Sequence, residues 1–162
     1  MGTRLRDGAA QPTGGVSPAT KPAVVRFYLD ADVLGLAKVL GALRTDVTYP
    51  GDRGTVLHRR ERPPCVIQSP AVKDMEWIPA VTAEGWIIVT RDRNIQRRPA
   101  EINAVREAGA RMVTLTAKDA GGTWEQLETF MSNWRAIERL TDEPGPFIYA
   151  CTRTSLRPVD LA

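Results

Sequence analysis

The sequence predicts an α/β fold with a mainly parallel central sheet covered on both faces. Five short apolar segments, rich in β-branched and aromatic residues, recur along the chain. The intervals between them are long enough for helices, and most carry apolar residues at helical spacing. The segments are near-continuous in apolar residues, the pattern of strands buried on two sides rather than one.

Residues 1–22 are rich in Gly, Pro, Ala, Thr and Arg without periodicity, which predicts a flexible arm ahead of a domain spanning 23–162. The first strand is V-V-R-F-Y-L, 24–29, and Val33, Leu36, Ala37, Leu40 and Leu43 then share one helical face. D-V-T-Y, 46–49, is the second strand. Residues 50–70, with Pro63, Pro64 and the run H-R-R-E-R, form a connection long enough to imply a task of its own. A helix over 73–84 leads into W-I-I-V-T, 86–90; a second, from Pro99 to Gly109, leads into R-M-V-T-L, 111–115. Leu127, Phe130, Met131, Trp134, Ile137 and Leu140 mark one longer helix, with Thr123 as N-cap and Gln126 as its reciprocal partner. F-I-Y-A-C-T, 147–152, is the last strand, of undecided direction.

The 162 residues suit one domain, and 22 Lys plus Arg against 19 Asp plus Glu leave a formal charge of +3. That excess permits nucleic-acid contact without demanding it. Cys65 and Cys151 are far apart and His58 is the single histidine, so no zinc-ligand spacing is present, and two buried or free thiols are expected ahead of the competing reading, a structural disulfide. Neither a signal-peptide segment nor a membrane-length apolar run occurs, so no membrane association and a cytoplasmic location are expected. Dinucleotide-binding, Walker and serine-elbow motifs are absent.

In an open α/β sheet, function gathers beyond the C-terminal strand ends. Asp30 ends the first strand, Asp92 follows the third, and Asp74 opens the helix leading into it. Converging carboxylates repel one another, and a divalent cation relieves that repulsion; oxygen ligands suit Mg²⁺ or Mn²⁺. Asp32, Glu76 and Asn94 are further candidate ligands or water-orienting groups. Ordinary roles compete: Asp30 or Asp32 as a helix cap, Asp74 and Glu76 as first-turn acids, Asp92 as a turn residue. Glu84, Glu101 and Glu107 read as solvated helix faces. Arg91, Arg93, Arg97 and Arg98 surround Asp92, while His58, Arg59, Arg60 and Arg62 crowd the long connection. Such stretches beside an acidic centre fit a nuclease, in which cations position the phosphate backbone. The competing reading is a charged surface of ordinary composition. His58 has no evident orienting acid and is a poor candidate base.

K-D-M-E-W-I-P-A-V-T-A-E-G-W-I-I-V-T-R-D-R-N-I, residues 73–95, resembles the central signature of the PIN-like nucleases, in particular the toxins of bacterial toxin–antitoxin systems. F-Y-L-D-A-D-V-L-G-L-A before it and P-A-E-I-N-A-V-R-E-A-G-A-R-M-V-T-L after it fit the same pattern in the same order. The resemblance implies a three-layer α/β/α sandwich with a central, mainly parallel sheet. It further implies Mg²⁺- or Mn²⁺-dependent hydrolysis of RNA phosphodiesters, with Asp30, Asp74 and Asp92 as the metal-binding catalytic acids. A cognate antitoxin and, as in many members, a homodimer are implied partners. Many relatives carry another acid shortly after the T-R-D aspartate, where this chain has Asn94, so a weaker or single-ion site is expected. The alternative functions are a catalytically weak PIN-like module that binds RNA or protein, and another metal-dependent phosphohydrolase. Trp124, Phe130, Met131 and Trp134 are read as core, with a partner surface as the competing reading.

Overall fold

A computed structural model describes residues 19–92, 94–118 and 120–162. Its main sheet is built from β2 (Phe27–Leu29), β3 (Val47–Thr48), β6 (Ile87–Arg91), β7 (Arg111–Leu115), β8 (Phe147–Thr152) and β9 (Ser155–Pro158). The strand order is β3-β2-β6-β7-β8-β9, parallel except for the β8–β9 hairpin. The last expected strand, β8, therefore joins in parallel, and β9 is an antiparallel edge that the sequence reading did not include.

Alternation along each strand explains the layers. Phe27, Leu29, Ile87, Val89, Val113 and Leu115 point to one face, where they meet Leu36 and Leu40 of α1 (Leu34–Leu43), Phe130 of α4 (Thr123–Ser132) and Ile137 of α5 (Trp134–Arg139). Tyr28, Ile88, Met112 and Ile148 point to the other, against Trp77, Ile78 and Val81 of α2 (Asp74–Ala83) and Val105 of α3 (Pro99–Ala108). Each of the larger apolar side chains here contributes roughly 1.5–3 kcal/mol by leaving water. The result is the expected α/β/α sandwich with a mainly parallel sheet. Pro99 opens α3 at a position where its missing N–H costs nothing, and Gly109 closes it in the left-handed region at φ 68°.

Two expectations need correction. The long late helix is broken at Asn133, whose Nδ2 donates to the carbonyls of Thr129 at 2.9 Å and Thr152 at 2.6 Å, tying the break to β8. Thr123 is not its cap: Gly122 holds that position, and Thr123, the first helical residue, abuts Gly35 of α1, where a Cβ would collide with its Oγ1. Gln126 turns its amide toward the carbonyls of Ala120 and Gly121 instead of completing a capping box.

The long connection is itself structured. β4 (Thr55–Leu57) and β5 (Arg60–Arg62) form a hairpin through His58 and Arg59, and β1 (Lys21–Pro22) adds to it in parallel, so pairing begins within the stretch expected to be a free arm. Residues 1–18 of that arm lie outside the described residues. His58 and Arg59 both have positive φ, 49° and 60°, the type I′ geometry that asparagine and glycine adopt with less strain.

Candidate active site

The strand order reverses at β2: α1 carries the chain outward to β3, and the next main-sheet strand, β6, returns to the opposite side of β2. A cleft of about 390 Å³ lies where Asp30 follows β2 and Asp92 follows β6. This is where the open α/β architecture places ligands.

Each acid reaches the cleft from a separate piece of structure. Asp30 caps the short turn after β2, its Oδ1 accepting from the Ala31 N–H at 2.6 Å. Asp32, one residue into that turn, accepts through Oδ2 from Thr90 Oγ1 at 2.8 Å and the Arg91 N–H at 3.1 Å, which ties the turn to β6. Asp74, in the first turn of α2, accepts from Trp77 Nε1 at 2.9 Å. Asp92 accepts from the Asn94 N–H at 2.7 Å and lies 3.4 Å from Arg98 Nε. The capping and turn roles weighed from sequence therefore coexist with presentation to the cleft. Thr90, Asn94, Arg91, Arg98, Trp77 and Met112 complete the lining together with Glu101.

Glu101 corrects the sequence reading. Expected on a solvated face, it is half-buried in the first turn of α3 and lines the cleft. Burial, then the charge of Asp92, pushes its carboxyl up to about 7. Burial also raises Asp30, to about 6, with smaller contributions from the charges of Asp32 and Asp74 outweighing part of the lowering by the Ala31 N–H. The site resists carrying its full negative charge.

Glu76 is exposed on α2 and does not line the cleft. Among the expected phosphate-binding arginines, Arg91 and Arg98 line it, and Arg97 lines a neighbouring groove with Asn94, Gln96, Thr116 and Lys118. Arg59 and Arg60 are exposed on the hairpin; Arg93 lies outside the described residues. Arg62 is a correction. It is 3% exposed, bonded to Asp52 at 2.7 Å and to the carbonyls of Gly41 and Arg44 at 3.1 and 2.9 Å, so its donors serve the fold. On α4 and α5, Phe130 is buried and Trp134 packs against the core, whereas Trp124 and Met131 are exposed. Cys65 and Cys151 are buried free thiols, as expected.

Carboxylates and the Asn94 carbonyl, with neither thiolate nor imidazole in the lining, match a hard divalent cation by type. Among the described residues, however, no three acids already stand close enough to hold an ion. The cleft supplies the right donors in one place, and their side chains must draw together to enclose a metal. A helix long and apolar enough to cross a membrane is absent among the described residues.

The family model for the PIN-like domain matches residues 25–117, more than half of the chain, and the chain belongs to that family. The match spans Asp30, Asp74, Asp92 and Glu101. Neither a curated protein nor a solved structure matches the chain significantly.

Proposed function

We propose that this chain is a Mg²⁺- or Mn²⁺-dependent endoribonuclease that hydrolyses RNA phosphodiester bonds, and that it is the toxin of a toxin–antitoxin pair. The observation that carries the nuclease reading is the meeting of Asp30, Asp32, Asp74, Asp92 and Glu101, from four separate segments, in one cleft at the switch point of a PIN-like sheet. Asp30, Asp74 and Asp92 would hold the ion, with Asp32, Glu101 and Asn94 beside them. A bound divalent cation supplies charge neutralisation at the phosphate and a more acidic water.

The chain's own groups do the positioning. Thr90 and the Arg91 N–H fix Asp32 against β6, Trp77 fixes Asp74, and the Asn94 N–H fixes Asp92. Each of these bonds limits the rotations by which an acid could miss its target. Arg98 and Arg91 set positive charge against an otherwise acidic wall, which admits a polyanion. Arg59, Arg60, Arg97 and the sequence-adjacent Arg93 supply further backbone contacts in this reading.

The spacing of the acids favours one alternative: a catalytically weak PIN-like module that binds RNA or protein without cutting. Incubation of the protein and its Asp92→Asn variant with mixed structured RNA, in Mg²⁺, Mn²⁺ or EDTA, separates the two. Cleavage that requires metal and vanishes in the variant supports the nuclease; binding by folded protein without cleavage supports the module. Growth arrest on expression, relieved by Asp92→Asn, tests the toxin role. A cytoplasmic location, a cognate antitoxin and a homodimer belong to the same proposal, and co-purification with the product of an adjacent gene tests the antitoxin.

A further inference from the structure

Two further grooves adjoin the acidic cleft, and they differ in charge. One lies over the carboxyl ends of β6 and β7 and shares Asn94 with the cleft. It measures about 380 Å³ and is lined by Asn94, Gln96, Arg97, Thr116 and Lys118 beside two apolar side chains. The other, about 390 Å³, lies between α2 and α3 and shares Asp74 with the cleft. Its lining is mostly apolar, Met75, Ile78 and Pro79 among it, and its charged groups are Asp74 and Glu107.

Local structure explains the contrast. After β6 the chain turns at once through Ile95–Arg97, which buries Ile95 and leaves Gln96 and Arg97 exposed. After β7 it is pinned at Thr116, whose N–H donates to the Cys151 carbonyl at 3.0 Å, and exposed Lys118 follows in a turn. Since β6 and β7 are paired neighbours, both cations stand on one rim of the sheet. Neither side chain has a hydrogen bond or ion pair among the described residues, and no described acid lines this groove. Asp119 lies outside the described residues. Open to solvent, the two cations keep their charge for an incoming polyanion. Across the cleft, two carboxylates and an apolar wall offer a phosphate chain only repulsion and desolvation.

We infer that single-stranded RNA leaves the acidic cleft on one side only, over the carboxyl ends of β6 and β7, where Arg97 and Lys118 contact backbone phosphates beyond the one at the acids. The inference rests on the RNA-cleaving reading and gives its substrate a path. The α2–α3 groove stays free of RNA.

The test uses the whole Asp92→Asn chain with Mg²⁺, so that RNA survives, and a fluorescent single-stranded RNA. Replacing Arg97 and Lys118 together by Gln is expected to weaken binding about tenfold at low salt and to lower the salt slope by about 1.4, at about 0.7 for each phosphate contact on a single strand. Glu107→Gln, exposed in the other groove, is expected to leave affinity within about twofold and the slope unchanged. Cross-linking reads the path without removing either cation. Cys65 and Cys151 are buried, so Gln96→Cys or Met75→Cys supplies an exposed thiol for a photoreactive group. RNA is expected to cross-link from Gln96→Cys and not from Met75→Cys.

Cross-linking from Met75→Cys equal to or stronger than that from Gln96→Cys overturns the path. Unchanged affinity and slope in the double variant do so too, as does absence of RNA binding at low salt. These failures are distinct from failure of the nuclease reading. Metal-dependent cleavage with binding indifferent to Arg97 and Lys118 removes the path and leaves the nuclease. Binding that needs both cations, without any cleavage by the wild-type chain, removes the nuclease and leaves the path.

Discussion

Arg62 and Arg91 both bring guanidinium nitrogens out of water, and the molecule treats them in opposite ways. Arg62 is saturated: it bonds Asp52 and two carbonyls at the end of α1, while Asp52 also accepts from Thr48 Oγ1 at 2.9 Å and the Gly54 N–H at 2.9 Å. That network fastens the β4–β5 hairpin to the sheet domain. Arg91 Nε and Nη2 have no partner among the described residues, amid acids of which burial raises three, Asp30, Asp32 and Glu101. Residue type does not separate the two arginines; satisfaction of their hydrogen-bonding groups does. A charge whose partners are all internal holds the fold.

The largest expected effect breaks the incomplete side of this contrast. Asp92→Asn is expected to reduce metal-dependent RNA cleavage on the order of 1000-fold, several kcal/mol of lost transition-state stabilisation, with the fold retained by circular dichroism. Breaking the complete side acts on stability instead. Asp52→Ala leaves Arg62 buried and uncompensated, and is expected to lower unfolding free energy by about 3–5 kcal/mol in urea titration.

A third expectation concerns pH. The raised carboxyls of Asp30, about 6, and Glu101, about 7, mean that the folded state holds protons the unfolded chain has released. Their stabilising contribution is complete below the unfolded carboxylate range and is lost as pH rises through about 7. Melting temperature without metal should therefore fall between pH 5 and pH 8. Glu101→Gln should flatten that fall, and Mg²⁺ or Mn²⁺ should restore stability at pH 8. A slope identical in wild type and variant would refute the crowded-acid account. The smallest effect concerns the hairpin: replacing His58 and Arg59 by Asn and Gly relieves two left-handed non-glycine residues. Urea titration is expected to show about 1 kcal/mol of added stability. RNA affinity should drop slightly if Arg59 touches the backbone.

What could be read in advance follows from which signals are local. Strands such as Arg111–Leu115 and Phe147–Thr152 announce themselves because β-branched and aromatic residues run together. Asp30 and Asp92 were legible because acids directly after strands fall where α/β sheets bind ligands. Glu101 was not, because its place depends on how α3 docks over the strand ends, and its sequence neighbourhood is that of any helix start. Arg62 misled for the opposite reason. It sits in a run of surface charges, and only its pairing with Asp52, ten positions back, draws it inward. The break at Asn133 was hidden too, since apolar spacing continues across it while the amide's partner on Thr152 is distant in sequence.

The strand order has a consequence for timing. Asp30 and Asp92 become neighbours only when β6 returns past β3 to lie beside β2, and Glu101 arrives with the helix after that. A chain emerging from the ribosome therefore carries its reactive groups singly and far apart until roughly two-thirds of it is out. Under the proposed nuclease reading, this topology would act as a safety catch: the polysome making the chain would face no assembled cleft until the sheet has closed.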